Sequence, residues 1–170
     1  EMDTELFSLH GDTARPTIVK IPINPDEYFL IENRQVDVKQ PDTIDVDVED
    51  GVVISVGGSE YDFFQPGSGL LIWHIDRKVL ADYGPFNAVN IDPAHKGVDL
   101  EEGDGVQDFD VSYWQSRAPN YEVYGYKYDP FFKGGYNDSF TAHTNPNTDA
   151  YKGRSYLDVT LLGGADSTSR

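Results

Sequence analysis

The chain has 170 residues, with 30 acidic side chains against 13 lysines and arginines and a formal net charge of −17. Hydrophobic residues make up 38% and aromatics 13%, which excludes wholesale disorder and suffices for one core. So negative a chain is a poor partner for nucleic acid or anionic membranes, and its lack of cysteine excludes disulfides, thiolate catalysis and cysteine-type zinc sites.

No apolar run approaches the ~20 residues of a membrane span. No signal-peptide pattern opens the chain, which starts at Glu1 and reads as a piece cut from something longer. Residues 1–15 are polar, anchored only by Leu6, Phe7 and Leu9, and read as an N-terminal arm. Residues 17–23 are rich in β-branched side chains, but Pro22 has no N–H to donate, so this is an edge strand or a strand end. Asn24-Pro25-Asp26 turns the chain into a second strand over residues 27–34, apolar on both faces at its centre.

Residues 36–65 read as an insertion. Within it Ile44, Val46 and Val48 alternate with Asp45, Asp47 and Glu49, the period of a strand with one wet face. Asp50-Gly51 then leads into Val52-Val53-Ile54-Ser55-Val56, a hairpin signal, and Gly57-Gly58 closes it. The apolar face of this hairpin needs a cover, from Tyr61, Phe63 and Phe64 or from a neighbouring molecule.

Pro66-Gly67-Ser68-Gly69 is a turn, and out of it comes Leu70-Leu71-Ile72-Trp73-His74-Ile75, the most hydrophobic segment of the chain. A run apolar on both faces belongs in the middle of a sheet, beside the 27–34 strand. A short helix is predicted over residues 77–83, stopped by Gly84-Pro85, and residues 87–110 are predicted to form a long acidic loop. Val111-Ser112-Tyr113-Trp114 is ambiguous between strand and helical turn; residues 121–128 suggest a strand with tyrosines on one face. Residues 131–151 read as loop, residues 156–162 as a final strand, and residues 163–170 as a frayed tail. The expected fold is a single mostly-β domain over residues 1–170, an antiparallel sheet or β-sandwich with long loops and at most short helices.

The acids cluster most densely in the 87–110 segment. Asn90, Asp92, Asp99, Glu101, Glu102, Asp104 and Asp108 offer the several hard oxygen ligands calcium requires, and Gly97, Gly103 and Gly105 let the backbone turn among them. The spacing is not that of an EF-hand, and a solvated acidic loop is the plainer alternative. His74 and Asp76 share one strand face; the favoured role for His74 is a hydrogen-bonded core residue, with a metal pair as the alternative. His95 and Asp99 read as a local hydrogen-bonded pair. Arg34, leaving an apolar strand after Glu32-Asn33, is expected to pair with a carboxylate of the acidic loop. Asn137-Asp138-Ser139 and Asn145-Pro146-Asn147-Thr148-Asp149 read as turns first, with a second cation site as the lesser alternative. The four histidines form no H-E-x-x-H, and neither a G-x-S-x-G elbow nor a phosphate-binding loop occurs.

Taken together, three ordered blocks resemble the immune inhibitor A-type secreted metalloproteases: residues 27–35 (E-Y-F-L-I-E-N-R-Q), residues 66–76 (P-G-S-G-L-L-I-W-H-I-D), and the Asn90, Asp92, His95, Gly97-to-Gly105 block. Tyr136-Asn137-Asp138-Ser139-Phe140-Thr141 with Asn145-Pro146 is similar to a later loop of that family, so the resemblance spans about residues 18–162. In the family the zinc-binding helix lies upstream of these blocks. The resemblance therefore implies a segment downstream of the catalytic helix, secreted, calcium-stabilised and packed against a protease core, and it assigns no catalytic residue here. The interval from Gln35 to Pro66 is longer than in the family and is filled by the hairpin, a device able to pair with another chain.

The leading expectation is a non-catalytic, calcium-stabilised extracellular β domain derived from a secreted metalloprotease precursor, structural or binding in role, with zinc not expected. Its partners would be the parent protease core or copies of itself. A rival from another class is a self-assembling subunit of an extracellular filament, joined through edge strands at residues 1–23 or 43–56. A weaker alternative is a hydrolase acting through Glu32, Asp76 and Glu102.

Overall fold

The computed structural model describes residues 17–35, 45–49, 52–57, 65, 67–107, 109, 125–155 and 157–160. The N-terminal arm, the cover at Tyr61, Phe63 and Phe64, the 111–114 segment, Asp108 and the tail lie outside the described residues. In chain order the elements are β1 (Ile18–Pro22), β2 (Glu27–Arg34), β3 (Asp45–Glu49), β4 (Val52–Gly57), β5 (Gly69–Asp76), α1 (Arg77–Tyr83), a 3-10 turn (Gly84–Phe86), β6 (Val98–Glu101), β7 (Ser139–Thr141) and β8 (Asp158–Thr160). The fold is mostly β and antiparallel throughout, with α1 as its short helix.

Four strands form the main sheet in the order β1-β2-β5-β6. β5 lies inside it, as its two-sided hydrophobicity demands, and β2 lies beside it in full register from Glu27↔Asp76 to Arg34↔Gly69. β1 pairs only with β2 in this sheet, where Pro22 costs no ladder bond on a neighbour's side. β3 and β4 form the expected hairpin with Glu49 opposite Val52, and a register shift falls between Asp47 and Val48.

Register divides the main sheet into two faces. One carries Glu27, Phe29 and Ile31 from β2, Ile72, His74 and Asp76 from β5, and Asp99 and Glu101 from β6. Its apolar half is the core: Phe29, Ile31 and Ile72 meet Phe131 and Phe140, with Ile21, Leu70, Leu157 and Val159 packed around them. Phe140 of β7 meets Phe29 edge to face at 4.9 Å, so the small β7–β8 ribbon lies against the large sheet. Burying a phenylalanine fully is worth about 1.5–3 kcal/mol, and three of these are wholly buried. Gly69 is needed where β5 begins: its φ is +155°, and a Cβ there would stand 2.7 Å from the carbonyl oxygen of Phe131. That close approach lets Leu70 and Phe131 exchange backbone hydrogen bonds at 2.8 and 2.9 Å.

Three expectations are corrected. The 87–110 segment is not one long loop, because β6 adds Val98–Glu101 to the sheet edge beside β5. Four residues of alternation among so many acids are too short a signal to stand out. The described part of the 121–128 strand, residues 125–128, is turn and irregular chain, and Tyr126 N–H donates to the Asp129 side chain. The 131–151 segment contains β7, and residues 158–160 pair with it as β8.

Candidate functional site

The polar half of the inner sheet face gathers its charges at one end. α1 starts here because Asp76 is its N-cap: Oδ1 accepts from the N–H groups of Lys78 at 2.8 Å and Val79 at 3.1 Å. Asp76 Oδ2 holds His95 Nε2 at 2.7 Å. Two residues back on the same face of the strand, the buried His74 lies between two carboxylates, with Nε2 3.0 Å from Glu27 and Nδ1 3.3 Å from Glu101. Lys96 Nζ reaches Asp99 at 2.7 Å, and the Tyr151 hydroxyl donates to the other Asp99 oxygen at 3.1 Å. Tyr151 closes the cluster: its ring stacks on His74 at 4.5 Å and leans on His95 at 4.2 Å, while its backbone N–H donates to Glu27 at 2.9 Å.

The protons follow from these contacts. Burial alone pulls the His74 imidazolium down, but hydrogen bonds and charge from Glu101 and Glu27 more than offset it and hold His74 above its ordinary value. Burial pushes the Glu101 carboxyl up, and His74 only partly restores it. Two hydrogen bonds flank the ring, and they need two protons, divided between His74 and Glu101. An imidazolium between carboxylates, or a neutral imidazole facing a protonated Glu101, are thus the same charge state of one coupled unit. Burial works against the Asp76 carboxylate, yet His95 and the capped amides outweigh it and leave Asp76 below the usual range. Burial and the Asp99 charge drive the Tyr151 hydroxyl well above its usual value, so it stays a donor.

The six described candidates of the acidic segment separate into different roles. Asp99 and Glu101 are strand residues committed to this network. Asn90 ties both polar groups of Val98, accepting its N–H and donating to its carbonyl, and Asp92 accepts from Ala94 N–H on the surface. Glu102 and Asp104 do converge, and their third member is Asp129, which the sequence reading missed: carboxylate oxygens of the three lie within 4.8 Å of one another. Glu102 and Asp129 are buried. The chain folds this way because Gly103 N–H donates to the Asp129 carbonyl, while Asn137 Nδ2 donates to the Gly103 and Asn145 carbonyls and Asn145 Nδ2 to that of Gly105. A peptide Asp129-Pro130 far from the acidic run carries only a turn signal, so nothing local marks it as a ligand. Glu27 and Tyr151 were missed for the same reason.

Other pairings differ from expectation. His95 pairs with Asp76 and not with Asp99, whose two oxygens are taken by Lys96 and the Tyr151 hydroxyl. Arg34 pairs with Glu32 of its own strand at 3.0 Å. Glu32, which also accepts from Trp73 Nε1 at 2.8 Å, is on the sheet face opposite Asp76, since Glu27 and Glu32 differ by an odd number of positions. The Glu32, Asp76 and Glu102 set is therefore not assembled. His74 is the buried, hydrogen-bonded core histidine expected.

Comparison with protein-family models, with curated proteins and with solved structures finds no match. Among the described residues, no helix is long and apolar enough to cross a membrane.

Proposed function

We propose that this chain is a non-catalytic, extracellular β domain of the kind found downstream of the catalytic helix in immune inhibitor A-type secreted metalloproteases, stabilised by calcium and serving as a support or a binding surface. The observation that supports the calcium part of the reading is the convergence of Glu102, Asp104 and Asp129. Three carboxylates supply an all-oxygen, hard donor set, which suits calcium and not a soft metal. Two of the three are buried, where mutual repulsion and desolvation are most costly and a divalent cation relieves both. Backbone carbonyls and water would complete the six to eight ligands calcium takes.

The test is thermal melting with calcium and with EGTA, for the chain and for E102Q. Calcium at ~100 times its dissociation constant should add about 2.7 kcal/mol, near 5–10 °C for a domain of this size, and E102Q should abolish most of it. An unchanged midpoint removes calcium from the account. Casein hydrolysis by the purified chain with added zinc would overturn the non-catalytic part.

A second reading, self-assembly into a filament, is favoured by the position of β1 and β6 as outermost strands of the main sheet. An outermost strand can present a row of backbone donors and acceptors to another chain. Negative-stain microscopy and light scattering at rising concentration decide it: a monodisperse monomer at all concentrations refutes the filament.

A further inference from the structure

Beside the Asp76–His95 pair an open groove of about 640 Å³ runs between the 24–26 turn, α1 and the 88–95 crossover. That volume is typical of a site for a small ligand or a few residues of peptide. Its lining holds five carboxylates against two lysines, so the groove attracts cations and repels anions. Lys78 and Asp82 are closed onto each other, which leaves four carboxylates against Lys152. Asp76 and Glu27 are engaged below, whereas Asp26 and Asp92 stand exposed on the rim.

Two alternative occupants fit poorly. Among the described residues only Glu102, Asp104 and Asp129 converge closely enough for a metal ion; the groove's acids are spread too widely to share one. A second copy of the chain would bring another formal charge of −17. The lining is not purely polar either: Tyr83 and Ile91 contribute apolar surface, Tyr83 48% exposed and Ile91 76% exposed. Two large apolar side chains on the lining of one groove offer a contact surface to an apolar group brought there beside a cation.

We propose that this groove binds a peptide segment in which a basic side chain stands next to a large apolar one. The basic side chain is drawn by the exposed Asp26 and Asp92 charges of the rim, and the apolar side chain rests on Ile91 and Tyr83. This deepens the binding-surface part of the functional reading and is independent of its calcium part.

The experiment titrates the full chain with N-acetyl-Leu-Arg-amide, following the His95 imidazole and Ile91 methyl resonances by NMR, beside the Leu-Glu and Gly-Arg analogues. Leu-Arg should shift both resonances, Leu-Glu neither, and Gly-Arg should bind roughly three- to tenfold more weakly. The double variant D26N/D92N, at two exposed positions, should weaken Leu-Arg by a similar factor and lose most of the salt dependence. I91S should erase the preference for Leu-Arg over Gly-Arg. Absent shifts with Leu-Arg, equal binding of Leu-Glu, or undiminished binding by D26N/D92N overturns the proposal. Melting the same samples with calcium and with EGTA reports the ion separately, so the two readings fail distinguishably.

Discussion

Asp76 does two separable things with its two oxygens, and two substitutions tell them apart. It is 5% exposed; Oδ1 caps α1 and Oδ2 holds His95. D76A removes both, the cap at about 1 kcal/mol and the charge-assisted hydrogen bond at about 1.5–3 kcal/mol. The His95 side chain is 28% exposed, so solvent screening places the second contribution at its lower end. The total is about 2–3 kcal/mol, or roughly 5–10 °C in a domain of this length. D76N keeps a capping oxygen, and asparagine caps as well as aspartate, so it should lose only about 1.5–2 kcal/mol. Because the folded carboxyl titrates below its usual value, its contribution is fully present above about pH 4, the unfolded value. That contribution disappears as pH falls through the folded value. The gap between wild type and D76N, read from urea melts followed by circular dichroism, should therefore narrow as pH falls below about 4. Equal losses for D76A and D76N, or a gap that widens in acid, would refute the division of labour.

The remaining predictions concern the core, the clamp and the buried histidine. F140A should cost about 3–5 kcal/mol because Phe140 is fully buried against Phe29 and Phe131, whereas I18A on the exposed side of β1 should stay within about 0.5 kcal/mol; urea midpoints compare them. G103A would place a Cβ 2.9 Å from the Asp129 carbonyl oxygen and 3.1 Å from that of Pro130, so a loss of about 1–3 kcal/mol is expected; a wild-type midpoint would show that the loop gives way freely. His74 is held above its ordinary value, so its stabilising charge is fully present below about pH 6.5 and lost as pH rises through the folded value. The stability gap between wild type and H74Q should accordingly shrink from pH 6 to pH 9, and a gap that grows over that interval would contradict the shared-proton reading.

Strand identities were legible where the signal is local. Leu70 to Ile75 announced an interior strand by hydrophobicity alone, Pro22 marked an edge, and Asp50-Gly51 marked a hairpin. β6 was not legible, since Val98-Asp99-Leu100-Glu101 has the alternation of a strand but the composition of its acidic surroundings. The candidate sites were legible only in part, for a related reason. Glu102 and Asp104 are neighbours in the chain, but Asp129 reaches them through a backbone hydrogen bond from Gly103 that no spacing encodes. Likewise His74 and Asp76 were visible as a same-face pair, whereas Glu27 is brought to His74 by strand register and Tyr151 by the packing of a distant turn.

One strand links the two acidic assemblies. β6 places Glu101 against His74, and the next residue, Glu102, joins Asp104 and Asp129. From there Asp129 leads within two residues to Phe131, which bridges Leu70 of β5 and packs on Phe140. The cluster is thus tied at one end to a charged sheet edge and at the other to the aromatic core. A cation bound there would restrain both through short covalent paths, without contacting either. Stabilisation by such an ion should then be global, a rise in the whole domain's melting point. An effect confined to the 102–106 turn would mean that the clamp through Gly103 and Asp129 is too loose to carry it.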